Sequence, residues 1–193
     1  MTLTTHFPPR SRRFTRDEYH RMAAEGFFQN QHVELIDGEV IEMAPQNEPH
    51  VEMISRLIRL LAPTLPTGFE LRCQAPLSIG NSEPEPDIAI IKLPKPKDTA
   101  PTTAALVIEV ADSSLPIDRK KAHLYASAQI PEYWLLNLID RRLERFLDPL
   151  TDPASPFAAA YASATALGLK DSIQPTAFPL APLPVGKLFD PGT

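Results

Sequence analysis

Residues 104–111 read AALVIEVA, an apolar run interrupted by a single acid, Glu109. Alternation of apolar and polar residues marks a strand with one wet face, whereas an unbroken run marks a strand buried on both faces. The segment therefore belongs in the middle of a sheet. Just upstream, Pro86-Asp87 opens a second apolar run, Ile88–Ile91, which Pro94 and Pro96 close. Downstream, Ile117–Ala128 has helical spacing, and Glu132–Leu138 and Arg142–Leu147 read as strands paired across Ile139-Asp140-Arg141. Toward the N-terminus, Phe69–Gln74 and Leu77–Ile79 read as short strands. Asn47 caps a helix through Val51, Ile54, Leu57, Ile58 and Leu61 that ends near Pro63. His32–Met43 is a hairpin turning at Asp37-Gly38. Thr15 and Glu18 form a capping box, and Gly26 stops the helix they start. The order is helix, hairpin, helix, four strands, helix, two strands. This is an α/β (α+β) pattern: a central mixed or largely antiparallel sheet flanked by helices, with an extra N-terminal helix and hairpin.

The chain has 193 residues, suited to a single domain. Residues 1–13 are expected to be a flexible arm and 148–193 proline-rich edge strands and loops. With 22 prolines and 7 glycines, those loops should be stiff, and a flexible glycine linker between domains is absent. The net charge of −5 argues against a broad basic surface for coating nucleic acid. One cysteine, Cys73, excludes an internal disulfide and a cysteine zinc cluster. No apolar run approaches the roughly 18 residues of a membrane span, and the basic N-terminus has no apolar stretch behind it. The expectation is a cytoplasmic protein with no membrane partner.

Glu83, Glu85 and Asp87 alternate with prolines in an extended segment, so their side chains share a face. Glu109 is the acid inside the central strand. Ionised carboxylates are costly to bury without a counter-charge, and two on neighbouring strands would make an oxygen-rich site for Mg²⁺ or Mn²⁺. A cap at the strand start for Asp87 and an arginine partner for Glu109 account for the same pattern. On the following helix, Lys121 falls within the stripe formed by Ile117, Leu124, Tyr125 and Ala128. It either reaches the two acids or runs its stem out to solvent.

The order Pro86-Asp87, Glu109-Val110-Ala111, Lys121 resembles the PD-(D/E)XK nuclease superfamily. More closely, VELIDGEVIEMAP (33–45), EPEPDIAII (83–91), LVIEVADSSLPIDRKKAHLYASAQIPEYWLLN (106–137) and VGKLF (185–189) resemble the Uma family of restriction-endonuclease-like proteins. The resemblance implies a restriction-endonuclease-like fold and metal-assisted hydrolysis of DNA, with Asp87, Glu109 and Lys121 as catalytic residues. It further implies that Asp87, Glu109 and the backbone carbonyl of Val110 hold the ion. The superfamily's lysine slot, two places after the glutamate, is Ala111 here. The resemblance implies that the lysine has moved to the helix, four residues before Tyr125, and the helical wheel also favours Lys121 over Lys120.

Two secondary candidates remain. His50 lies on the inward stripe of its helix, where it touches phosphate or water or merely fills the first turn. Glu34 either completes the acid cluster or pairs with an arginine in the hairpin. Tyr125, Tyr133 and Trp134 are assigned to the core. Arg10, Arg12, Arg13 and Arg16 read as a solvated arm, and Arg141, Arg142 and Arg145 stay open. No DNA-reading motif is recognisable, so the nucleic-acid-binding residues are unknown. A homodimer would supply two sites for the two strands of a duplex. The alternatives are a catalytically inactive nuclease-like module that binds nucleic acid or protein and, more distantly, a carboxylate glycosidase.

Overall fold

The computed structural model describes residues 10–95 and 97–190. Helix α1 (Arg16–Ala24) starts at the Thr15/Glu18 capping box, both halves of which are formed. Gly26, at φ +81°, ends it in a conformation that costs glycine little. Strands β1 (Val33–Ile36) and β2 (Glu39–Glu42) pair antiparallel around Asp37 and Gly38, both with positive φ, as the tight hairpin turn requires. A Cβ on Gly38 would lie 2.8 Å from the Phe14 carbonyl oxygen, so this position accepts only glycine without a shift. Helix α2 (Glu48–Leu61) begins at Asn47, whose side chain accepts the His50 N–H, and runs into a short 3₁₀ turn containing Pro63.

The main sheet follows. Its strands are β3 (Phe69–Cys73), β4 (Ile88–Lys92), β5 (Leu106–Ala111), β6 (Glu132–Asn137), β7 (Arg142–Thr151) and β8 (Ala159–Leu167), adjacent in that order. Only β5 and β6 run parallel. They are joined by helix α3 (Leu115–Ser127), because a parallel pair needs a crossover. Every residue of β5 is buried, as its unbroken apolar run predicts.

Side-chain alternation sorts the sheet into two faces. Ile88, Ile90, Ile108, Val110, Trp134 and Leu136 pack beneath Met53, Ile54, Leu57 and Leu61 of α2. Ala89, Ile91, Val107, Tyr133 and Leu135 pack against Leu124 and Tyr125 of α3 and Ile36 of the hairpin. Glu109 falls between Val107 and Ala111 on the α3 face. Asp87, two residues before Ala89, falls on that face too.

Several local expectations differ from the structure. Leu77–Ile79 is not a strand and makes only one bridge, Ile79 to Ser82. Pro76, Pro84 and Pro86 offer no N–H from which a ladder could be built. Val51 is exposed and does not belong to the inward stripe of α2. Strand β7 continues past Leu147 to Thr151. Beyond β8 come the two-residue strands β9 (Ser172–Ile173) and β10 (Leu183–Pro184) and the short helix α4 (Gly186–Phe189). This stretch sends Ile173, Phe178, Val185 and Leu188 into the core under α2. Of the arm expected over 1–13, residues 1–9 lie outside the described residues. Arg12 pairs with Glu18, and Arg13 with Asp37 (2.7 Å) and Glu39 (3.2 Å).

Arg145, ambiguous in the sequence, holds the C-terminal stretch to the sheet through Glu132. The Glu132 carboxylate is fully buried. Its Oε1 accepts from Trp134 Nε1 (2.6 Å) and Arg145 Nε (2.8 Å), and its Oε2 from the Thr176 N–H and hydroxyl (both 2.7 Å). Removing one member of a buried, hydrogen-bonded charge pair strands the other. Glu132→Ala is therefore expected to cost about 3 kcal/mol, read as a lower urea midpoint; an unchanged midpoint would contradict this account of the clasp.

Candidate active site

Ile88–Ile108 is the terminal rung of the β4–β5 ladder, and the next residues out, Asp87 and Glu109, face each other across the two chains. Each carboxylate accepts an N–H from the other's segment. Asp87 N–H donates to Glu109 Oε2 (3.1 Å), and Val110 N–H donates to Asp87 Oδ2 (2.8 Å). In an extended strand a residue's N–H and C=O point to the same side. The Val110 carbonyl therefore also faces Asp87, where the ladder has ended.

Lys121 reaches this point from α3. It is 2% exposed, and its ammonium lies 2.8 Å from Glu34 Oε2, 3.2 Å from Glu109 Oε1 and 3.8 Å from Asp118 Oδ1. The stem does not run to solvent. Neither Asp87 nor Glu109 pairs with an arginine among the described residues, and the partner of Glu34 is Lys121 rather than a hairpin arginine. His50, in the first turn of α2, sets Nε2 3.2 Å from Asp87 Oδ2. The structure thus brings Asp87, Glu109, Lys121, His50, Glu34 and Val110 around one cavity of about 80 Å³, room for a hydrated ion or a few waters. Glu85 lines the same cavity, whereas Glu83 is turned toward His20 (2.7 Å).

Two residues of the cluster were not among the site candidates read from the sequence. Asp118 is buried beside Lys121. Tyr125, assigned to the core, is fully buried but donates its hydroxyl to Glu109 Oε1 at 2.6 Å. The signal was helical spacing: positions three before and four after Lys121 share its face. Tyr133 and Trp134 are core residues, both fully buried.

Charge is unbalanced here. Four buried carboxylates, of Glu34, Asp87, Glu109 and Asp118, surround one ammonium and one imidazole. Burial raises Glu109 well above the usual carboxylate range; Lys121 opposes this, while Asp87, Asp118 and Glu34 add to it. Burial likewise lifts Asp118 from 3.8 to about 6 against the pull of Lys121 and Ser114. For Lys121, burial disfavours the ammonium, but Glu109, Glu34 and Asp118 outweigh it and hold the amine protonated. For His50, burial is overcome by Asp87 and the nearby Val110 carbonyl, which favour the imidazolium, although Nδ1 makes no hydrogen bond of normal geometry.

These shifts have a consequence for stability. Carboxylates and an imidazole raised above their unfolded values bind more protons in the native state than in the unfolded one. Their contribution is complete at low pH and is lost as pH rises through about 6, the Asp118 value. The metal-free protein is therefore expected to melt several degrees higher at pH 5.5 than at pH 7.5. A melting midpoint that rises over that interval would contradict the charge imbalance.

The donor set suits a hard divalent cation. The oxygens of Asp87 and Glu109 and the Val110 carbonyl face one cavity, with excess negative charge around them. Among the described residues no three His, Cys, Asp or Glu side chains form a ready-made metal site. The fit is to an ion that keeps several waters, as Mg²⁺ does.

The pattern of one protein family, described as "putative restriction endonuclease", matches residues 16–184. The chain belongs to this family, Uma2. A crystal structure of a "putative nuclease belonging to DUF820" from Anabaena variabilis superimposes with a TM-score of 0.67 at 13% identity. The match covers 91% of this chain and 97% of that one. At that identity the likeness speaks for the fold, an α+β arrangement around the mixed six-stranded sheet, as the sequence led one to expect. No curated protein matches the chain. Among the described residues, no helix of this Uma2 chain is long and apolar enough to cross a membrane.

Proposed function

We propose that this Uma2 chain is a cytoplasmic, divalent-cation-dependent endonuclease that hydrolyses DNA phosphodiester bonds. The observation that carries the reading is the convergence of Asp87, Glu109 and the Lys121 ammonium on one small cavity. Asp87, Glu109 and the Val110 carbonyl would hold Mg²⁺ or Mn²⁺. The ion would neutralise charge on the phosphate and lower the pKa of a bound water.

The chain's own groups do the rest. Glu34 takes one side of the Lys121 ammonium and fixes it toward Glu109. From there it orients the attacking water or balances charge that develops on the phosphate. His50 keeps Nε2 3.2 Å from Asp87 Oδ2 and, as an imidazolium, adds a positive charge beside the cavity. Asp118, buried against Lys121, keeps the pocket negative enough to draw a cation.

The test is supercoiled plasmid incubated with the protein and Mn²⁺. Nicked product that disappears with EDTA is expected, and linear product would show that two copies act together on the two strands. Intact plasmid would favour a nuclease-like module that binds without turnover. The net charge of −5 and the ion pair committing Lys121 to Glu34 speak for that second reading.

A further inference from the structure

We infer that Tyr125 is a positioning residue for Glu109: its phenol fixes which carboxylate oxygen stays available to a cation. This rests on the proposal that Glu109 is a metal ligand.

A buried glutamate has three side-chain torsions, and its carboxylate can be presented in several ways unless donors hold it. Here Oε1 takes two donors from α3, the Tyr125 hydroxyl at 2.6 Å and Lys121 Nζ at 3.2 Å. Oε2 takes only the Asp87 N–H, at 3.1 Å, and so stays on the Asp87 side of the cavity. The phenol is the shorter contact and the more rigid one. Its ring is fully buried and packs on Tyr133 with centroids 5.1 Å apart. Lys121, by contrast, is shared among three carboxylates and ends a flexible stem.

The phenol is also neutral. A second cationic donor at this place would cancel the negative charge that attracts a divalent ion, whereas a hydroxyl orients the carboxylate without discharging it. Spacing makes this possible, because Tyr125 lies one turn beyond Lys121 on the same helical face. Partners that orient a metal ligand in this way are typically worth about 10- to 100-fold in affinity.

The test uses Tyr125→Phe in the full chain, with Mn²⁺ alone as the probe. Phenylalanine keeps the ring and its packing and removes only the hydroxyl. Calorimetric titration is expected to show about a ten-fold loss of Mn²⁺ affinity, and metal-free crystals to show the Glu109 carboxylate turned from its wild-type position. Tyr133→Phe is the control: its hydroxyl bonds the Asp118 backbone carbonyl (3.1 Å) and not Glu109, so Mn²⁺ affinity should hold there. Unchanged affinity in Tyr125→Phe, an unmoved Glu109, or an equal loss in Tyr133→Phe would overturn the inference. If the wild type itself binds no Mn²⁺, the metal-site reading falls. The position of Glu109 in metal-free Tyr125→Phe crystals then still decides the positioning role.

Discussion

Lys121→Met is expected to lower stability at pH 8 by about 3–5 kcal/mol, the range for removing one partner of a buried ion pair. For a chain of this length that is roughly a 10 °C fall in melting temperature. The substitution keeps the aliphatic stem and deletes the ammonium, leaving Glu34, Glu109 and Asp118 buried without the charge that lies within 4 Å of all three. The folded-state pKa values of Glu109 and Asp118, already raised by burial, must then rise further, so the deficit belongs to the deprotonated forms. It is expected to shrink as pH falls toward 5 and the carboxylates take up protons. A divalent cation should recover part of the loss, giving a larger Mn²⁺-induced rise in melting temperature than in the wild type. Plasmid cleavage should vanish. Melting that is unaltered at pH 8 would mean that the acids are not held by this amine.

The second large effect concerns the cation. Glu109→Gln keeps the shape of the side chain and removes one of the four buried carboxylates. Mn²⁺ affinity is expected to fall by more than about 100-fold, beyond the usual loss of an outer-shell partner, and cleavage to fall to background. Stability at pH 8 should be maintained or rise, because the amide escapes the repulsion that Asp87, Asp118 and Glu34 exert on the Glu109 carboxylate. Loss of activity with gain of stability separates a functional carboxylate from a structural one. A structural Glu109 would lose stability and leave Mn²⁺ binding alone.

Much of this site was legible in the chain because its residues stand on regular elements. The apolar run around Glu109 places that residue on a central strand, and its period of two puts it on the α3 face with Asp87. The 3.6-residue period of α3 turns Lys121 inward. What escaped were contacts made at right angles to those periods. Glu34 meets Lys121 only because a separate hairpin docks through the Leu35–Glu83 bridge, a long-range pairing that no local pattern encodes. Tyr125 was legible as a buried ring, but the direction of its hydroxyl depends on the neighbouring strand. The core residues between Ile173 and Leu188 lie in a proline-rich stretch with little periodicity, so their burial is set by the groove they fill beneath α2.

The most direct measurement is an anomalous difference map from crystals soaked in Mn²⁺. A single strong peak in the cavity, in contact with carboxylate oxygens of Asp87 and Glu109 and with the Val110 carbonyl, is the result expected. A cavity without a peak, with Lys121 still clamped between Glu34 and Glu109, would contradict the metal-dependent nuclease account.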